Sequence, residues 1–477
     1  MTAKPLTVLT PLASLLALAI TTLGLACAPG ARAPAAVAPP REPPAISLSE
    51  VKTGQWGIVL RAPRATTELR FARNPDDSRA RRWQVDGGFE LVHEGGIDFL
   101  RRKDGTPFQT ASLTVPARYV ALPKEYAPFS PYSDGGTLIY SGQFHTCPGR
   151  VECPDDERWS IQVTPPARAH LVVAGGVHES AFTFNDAGEG TNIYAGKTQP
   201  LSSSHFVALL DPGLPPEVKA ALEHLLPLMM DLFTTRLGAL PIKPTLFVSL
   251  DPEPPKGSGF DMQGGALPGQ IFFHLYGEQW AKGAKERLLD LLPWSFAHET
   301  AHLFQSIGAS GDTYPMDQSW IHEGGAEAFA ALTVLGLGVV SREHIEKRIE
   351  AALAECAAGL RALAGKPLNA SAEAGAFSNY YTCGLVMQLA IHAEVGRASA
   401  GARDLFDVWA QFSSRVRGGE PWNQDTFLRT AFDLGAVEAA SFARSLATMP
   451  QHNPLEFVRT LGATAMAGFQ SRRAADR

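Results

Sequence analysis

The chain has 477 residues, 45% of them hydrophobic and 19% charged, enough to bury a large core and, on length, to form two to four domains. Its 42 basic and 48 acidic side chains leave a formal net charge of -6. That balance excludes the clustered basic surface of a nucleic-acid-binding protein, and no nucleic-acid partner is expected. The 36 prolines and 44 glycines read as frequent turns rather than disorder along the whole chain.

At the N-terminus, Lys4 precedes an apolar run over residues 12–25. Its length suits the core of a secretory signal and falls short of a bilayer span. Cys27 follows Leu23, Gly24, Leu25 and Ala26, a pattern that resembles the lipobox of bacterial lipoproteins. The resemblance implies a lipoprotein-type signal over 1–27 and a lipid anchor on Cys27. It also implies a place in the cell envelope, periplasmic or on the outer surface. Ordinary cleavage near Ala26 or Ala28 would instead release a secreted protein. Residues 31–44 are rich in Ala and Pro, so 28–47 reads as an extended linker.

Of five cysteines, four remain beyond Cys27. Cys147 and Cys153 bracket a short Pro/Gly loop, and in an oxidising compartment such a loop closes as a disulfide. A structural zinc fits less well, because no second Cys pair lies nearby. Whether Cys356 and Cys383 pair stays open, since sequence does not show their separation.

Residues 48–206 carry short β-like runs, at 56–60, 111–115, 137–140 and 170–174, separated by Gly, Pro and Asp. That rhythm predicts an antiparallel β domain, a sandwich or saddle. His93, His145, His170, His178 and His205 are scattered through it without metal-ligand spacing and read as structural or surface histidines. Residues 207–296 alternate helix and strand: a helix from Pro216 with one internal Pro, a strand at 244–250, then a turn from Gly264 feeding a second strand. Residues 297–470 read as helical. No internal repeat of 20–50 residues is evident.

The most informative stretch is His298-Glu299-Thr300-Ala301-His302. On a helix, positions i and i+4 share a face, so both imidazoles can reach one metal ion. Glu299 lies about 100° round the helix, beside the metal, where a base for an activated water belongs. Pro293 and Gly308 mark the expected start and end of this helix. A second constellation starts at Trp320, eighteen residues after His302. Glu323 and Glu327 share a helix face there, with Asp317 or Ser319 as the cap. A catalytic zinc takes three protein ligands, and Glu323 would complete them. Glu327 could hold the other ring nitrogen of His298. Gly324 and Gly325 each cost about 1 kcal/mol in a helix interior relative to Ala, so some close backbone approach should require them.

This text, His-Glu-x-x-His followed by Trp320, Glu323, Gly324 and Ala326, resembles the gluzincin metallopeptidases, especially the aminopeptidase N type, over about 215–395. The resemblance implies an α+β fold, with a thermolysin-like zincin catalytic domain and a helical C-terminal lobe after the β domain. It implies one Zn2+ on His298, His302 and Glu323, with Glu299 as general base. Tyr381 and Gly384 match the family's Tyr-x-Lys-Gly pattern, with Cys383 in place of Lys, so the oxyanion-stabilising role falls on Tyr381, beside Tyr380. The expected activity is zinc-dependent hydrolysis of peptide bonds in a peptide or protein substrate. The family's exopeptidases carry a Gly-x-Met-x-Asn strand with an amine-binding Glu; residues 264–271 have the small residues but neither Glu nor Asn. Aminopeptidase action is thus the alternative, and a non-catalytic peptide-binding descendant is a further one. Oligomeric state is left open.

Overall fold

Alternation of buried and exposed side chains builds the first half of the chain. The computed structural model describes residues 42–123, 125–251, 253, 259–282, 285–305, 315–450 and 453–475. The signal, Cys27 and residues 28–41 lie outside them. Gln55–Thr66 turns Trp56, Ile58, Leu60 and Ala62 inward at every second position. It pairs antiparallel with Ala45–Lys52 and Phe108–Pro116 at the centre of a six-stranded sheet. One pair in that sheet, Ala45–Lys52 with Arg158–Thr164, is parallel. A four-stranded and a five-stranded sheet, both antiparallel, close over the same core of Trp56, Phe144, Trp159 and their neighbours. Thr137–Tyr140 and His170–Val173 both pair with Asn192–Gly196 in the five-stranded sheet.

The histidines of this region have structural partners. His93 lies 2.8 Å from Asp98, His145 2.9 Å from Asp186 and His205 3.3 Å from Asp231. His178 stacks on Phe182, and His170 lies against Tyr194. Cys147 and Cys153 are joined by a disulfide with Cα atoms 5.6 Å apart.

A mixed sheet follows, with strands β1 (Leu201–Ser202), β2 (Val207–Leu210), β3 (Thr245–Leu250), β4 (Asp261–Leu267) and β5 (Gln270–Tyr276) in the order β1-β2-β3-β5-β4. The parallel strands β2, β3 and β5 are buried almost throughout, as expected of strands covered on both faces. β4 is the antiparallel edge. The text from Gly264 is therefore not a turn: Gly264 to Leu267 are the second half of β4, and the turn is Pro268-Gly269, where Gly269 takes φ +70°. The alternating pattern was masked because two consecutive glycines occupy strand positions.

Helices fill the rest: α1 (Pro216–Leu237), α2 (Lys285–Gln305), α3 (Ser319–Gly336), α4 (Arg342–Ala362) and α5 (Asn379–Ala398), then four more to Ala475. Pro227 stands inside α1. Pro293 also lies inside its helix, not at its start, because α2 begins at Lys285 and absorbs the missing N–H. Gly308 lies outside the described residues. Neither expected cap serves α3: Asp317 sits in a single turn, Met316–Gln318, and the Ser319 hydroxyl donates to the Met316 carbonyl. No described helix is long and apolar enough to cross a membrane.

Candidate metal centre

Two helices supply the centre. On α2, Phe296, Ala297 and Ala301 are buried, which turns the face carrying His298 and His302 toward α3. The two imidazoles meet with their Nε2 atoms 3.1 Å apart. From α3, the Glu323 Oε2 atom comes within 3.5 Å of His298 Nε2 and 3.3 Å of His302 Nε2. A tetrahedral zinc with ligand bonds of about 2.0–2.2 Å separates its donors by about 3.3–3.6 Å. The three atoms form a triangle with sides of 3.1–3.5 Å, close to that size, and the donor set, two imidazoles and a carboxylate, suits zinc. Among the described residues this is the group of His, Cys, Asp and Glu side chains close enough to hold a metal ion.

The ring nitrogens that face away from this point also have polar neighbours. His298 Nδ1 lies 3.0 Å from Glu327 Oε1, one turn beyond Glu323 on α3. Trp294 donates its indole N–H to the other Glu327 oxygen at 3.0 Å. His302 Nδ1 lies 2.8 Å from Gln305 Oε1, and the Gln305 amide donates to the His322 carbonyl at 3.0 Å. The His322 ring stacks on His302 with centroids 4.0 Å apart. Such contacts set the tautomer and the aim of each imidazole. Sequence reading missed Trp294, Gln305 and His322. The signal available for the first two was helical spacing alone, four residues before His298 and three after His302.

Electrostatics follow from burial and proximity. Burial opposes a charge on His298, but Glu323 and Glu327 outweigh it and raise the imidazole to about 10. Burial likewise opposes a charge on Glu323, yet the His302 and His298 rings hold its carboxyl well below the usual range. Glu299 is pushed up by burial, against the pull of His298 and His302, which suits a proton-accepting group. His322 is pushed down to about 4 by burial and by the charge of His302.

The glycines have a physical cause. A Cβ on Gly324 would stand 2.3 Å from the Cα of Gly384, so α3 and α5 touch backbone to backbone beside Glu323. A Cβ on Gly325 would stand 2.6 Å from the Trp409 ring and 2.7 Å from Gln305 Nε2. That contact brings Tyr381, three residues before Gly384, to the centre. Its ring stacks against that of His298 with centroids 5.8 Å apart, close enough to Glu323 to feel its charge. Burial, then the charges of Glu323 and Glu299, raise its pKa and keep it a neutral donor. Tyr380 points elsewhere: it is fully buried and donates to the Asn369 carbonyl at 2.9 Å.

The edge strand β4 borders this site. Its Gln263 side chain donates to the Glu125 carbonyl at 3.0 Å and accepts from the Ala127 N–H at 3.3 Å. A Cβ on Gly265 would stand 2.2 Å from the Tyr126 hydroxyl. The loop around residue 126 is thus tied to β4, and Tyr126 feels the charge of Glu299. Cys147 and Cys153 belong to the β-rich region, and Cys27 lies outside the described residues.

No protein-family model matches the sequence, and no curated protein matches it. Among solved structures, the chain is similar to an aminopeptidase N family protein from Idiomarina loihiensis. The TM-score is 0.58 at 11% identity, over 87% of this chain and 78% of that one. It is also similar to yeast LTA4 hydrolase in complex with bestatin, at TM-score 0.50 and 10% identity, over 86% of this chain and 67% of that one. The chain has the α+β architecture of these proteins: an antiparallel-rich sheet domain followed by a helical C-terminal region.

Proposed function

We propose that the chain is a zinc-dependent peptidase of the gluzincin type, with zinc held by His298, His302 and Glu323. The observation that carries this reading is the triangle of three donor atoms at zinc spacing, with Glu299 and Tyr381 beside it. A zinc ion bound there supplies Lewis acidity and an activated water near neutral pH. Glu299 takes the proton of the attacking water and passes it to the leaving amine. Tyr381 donates its hydroxyl to the carbonyl oxygen as charge develops on it. Glu327 and Gln305 fix the two imidazoles. Among the described residues β4 pairs with β5 only, and its outer edge offers backbone groups to an extended peptide. Glu299 and Tyr381 argue against a protein that only binds peptide, since binding needs neither. With a lipid on Cys27 the enzyme would act on peptides or proteins at the cell envelope.

The test is metal content and peptide turnover of the full chain, with and without chelator. Stoichiometric zinc and chelator-sensitive, zinc-restored cleavage are expected. Turnover unaffected by chelation would remove the proposal. Aminopeptidase action is favoured by the fold similarity to the Idiomarina loihiensis protein. Against it, residues 264–270 carry no acid, and an unpaired ammonium is costly to desolvate. N-terminally acetylated peptides should therefore be cut at least as well as free ones. Release of single residues from free peptides only would establish the aminopeptidase reading.

A further inference from the structure

The structure joins Cys356 of α4 to Cys383 of α5, with Cα atoms 4.9 Å apart across 27 residues of sequence. Both cysteines are buried, at 1% and 0% exposure. Cys383 stands two residues after Tyr381, and Tyr381 lies in the first turn of α5. The N–H groups of that turn bond back to the carbonyls of Ala376, Phe377 and Ser378, just outside the helix. Ser378 precedes it without offering a side-chain cap. Tyr380 and Asn379 anchor it further, through the Asn369 carbonyl and the Ser371 hydroxyl, and the start of α5 is also fastened to two neighbouring helices. On one side Gly384 abuts Gly324, next to Glu323. On the other, the disulfide fastens Cys383 to α4, and Asn379 presses on Gly359 of the same helix.

The glycine contact sets how closely α5 approaches α3. It resists rotation of α5 about its own axis weakly, because two glycines present no side chains to interlock. The buried side chains of α5, Tyr380 with its bond to the Asn369 carbonyl among them, resist rotation, and the covalent bond about 200° round the helix from Tyr381 adds to that resistance. The tyrosine hydroxyl stands at the end of a long arm, so a small rotation of the turn moves it far. Displacements of about 1 Å at a reacting group can cost about 100-fold in rate.

We infer that the Cys356–Cys383 disulfide is a positioning device for Tyr381, holding its hydroxyl over the donor triangle. The inference rests on the proposed peptidase reading for its kinetic consequence, and on geometry alone for the placement of the side chain. Cys356 and Cys383 are positioning residues that act through Tyr381 and touch no substrate.

The experiment is a double-mutant cycle on the zinc-loaded full chain. Removing the bridge with Cys356→Ala and Cys383→Ala should lower kcat about 10-fold, with KM and zinc content unchanged. The same removal in a Tyr381→Phe background should lower kcat less than 2-fold further, because the group being positioned is already gone. A purely structural bridge predicts the same loss in both backgrounds, and that additive result would overturn the inference. A pair Cys356→Ala and Cys383→Val refills the buried volume and serves if the alanine pair does not fold. A second readout needs no activity: 19F NMR of 3-fluorotyrosine introduced at position 381, in the metal-free and the zinc-loaded protein. One sharp resonance with the bridge, broadened or split without it, is expected; an unchanged resonance would overturn the inference. Absence of zinc-dependent turnover in the parent protein would sink the peptidase reading, and the resonance would still decide the bridge.

Discussion

α2 and α5 both deliver side chains to the metal centre, by different physical means. α2 carries His298, Glu299 and His302 within five residues, so helical periodicity alone aims two imidazoles at one point. α5 carries Tyr381 nearly eighty residues away, and nothing local aims it. It arrives because Gly384 lets its backbone touch Gly324, and a disulfide ties Cys383, two residues on, to α4. α3 stands between the two: Glu323 and Glu327 share a local face, but Gly324 beside Glu323 serves the contact with α5. Groups that must be set within a fraction of an ångström can thus be encoded by spacing on one helix or by packing between helices. The second way exposes them to more kinds of damage.

The largest effect should come from the α2 side. Glu299→Gln keeps the shape but cannot accept a proton, so kcat should fall by about 100- to 10,000-fold with zinc retained. Near-normal turnover with full zinc occupancy would remove Glu299 as the base. On α3, Glu323→Ala should cost more zinc affinity than Glu327→Ala, for which about 10–100-fold is expected. Competition with a chromophoric chelator measures both, and the reverse order would mean the third ligand has been misassigned.

Breaking the packing route needs one methyl group. Gly324→Ala would place a Cβ 2.3 Å from the Gly384 Cα, and that neighbour is backbone that cannot swing aside. Overpacking of this kind costs about 1–3 kcal/mol. The expected result of denaturant titration is a loss in that range. In kinetics, kcat should fall through Tyr381, while zinc affinity falls less because only one of the three ligands, Glu323, sits beside the clash. An equally large loss of zinc affinity would show that the two routes are not separable.

The charge state of the centre gives a pH prediction. In the metal-free protein His298 is raised to about 10 by Glu323 and Glu327. A raised pKa contributes stability fully below the unfolded value of about 6.5, and this is lost as pH climbs through about 10. Metal binding needs the neutral imidazole, so zinc should displace a proton at neutral pH and bind more tightly as pH rises toward that value. Calorimetry in buffers of different ionisation enthalpy would register the released proton; a binding heat independent of the buffer contradicts it. The smallest change concerns Trp294. Trp294→Phe keeps a ring but removes the N–H held by Glu327, and zinc affinity should drop only a few-fold. No change in affinity, at unaltered stability, would mean that Glu327 orients His298 unaided.

Much of this centre was legible from spacing, because His298 with His302 and Glu323 with Glu327 each repeat at one helical turn. The glycine pair was legible as a demand for close approach, but not as to what approached. Gly384 and Trp409 lie 60 and 84 residues beyond Gly324 and Gly325, and no local rule connects them. The Tyr-x-x-Gly spacing puts the role on Tyr381, and burial agrees: the Tyr380 ring fills the core and the Tyr381 ring stacks on His298. β4 was misread as a turn since glycine at consecutive strand positions has no side chain to show the period of two. The caps of α3 failed for a related reason, as tertiary contacts started that helix where side-chain propensity did not.

By itself the sequence determined the local chemistry: a helix with two imidazoles on one face, a base beside them, two carboxylates one turn apart, and short alternating strands before them. These depend on torsional periodicity, which acts over a few residues and survives in any context. Only the tertiary structure decided that Cys356 meets Cys383, that the loop at Tyr126 docks on β4, and that Tyr381 stacks on His298. Those outcomes depend on which surfaces exclude water against each other, and burial is a property of the whole folded chain.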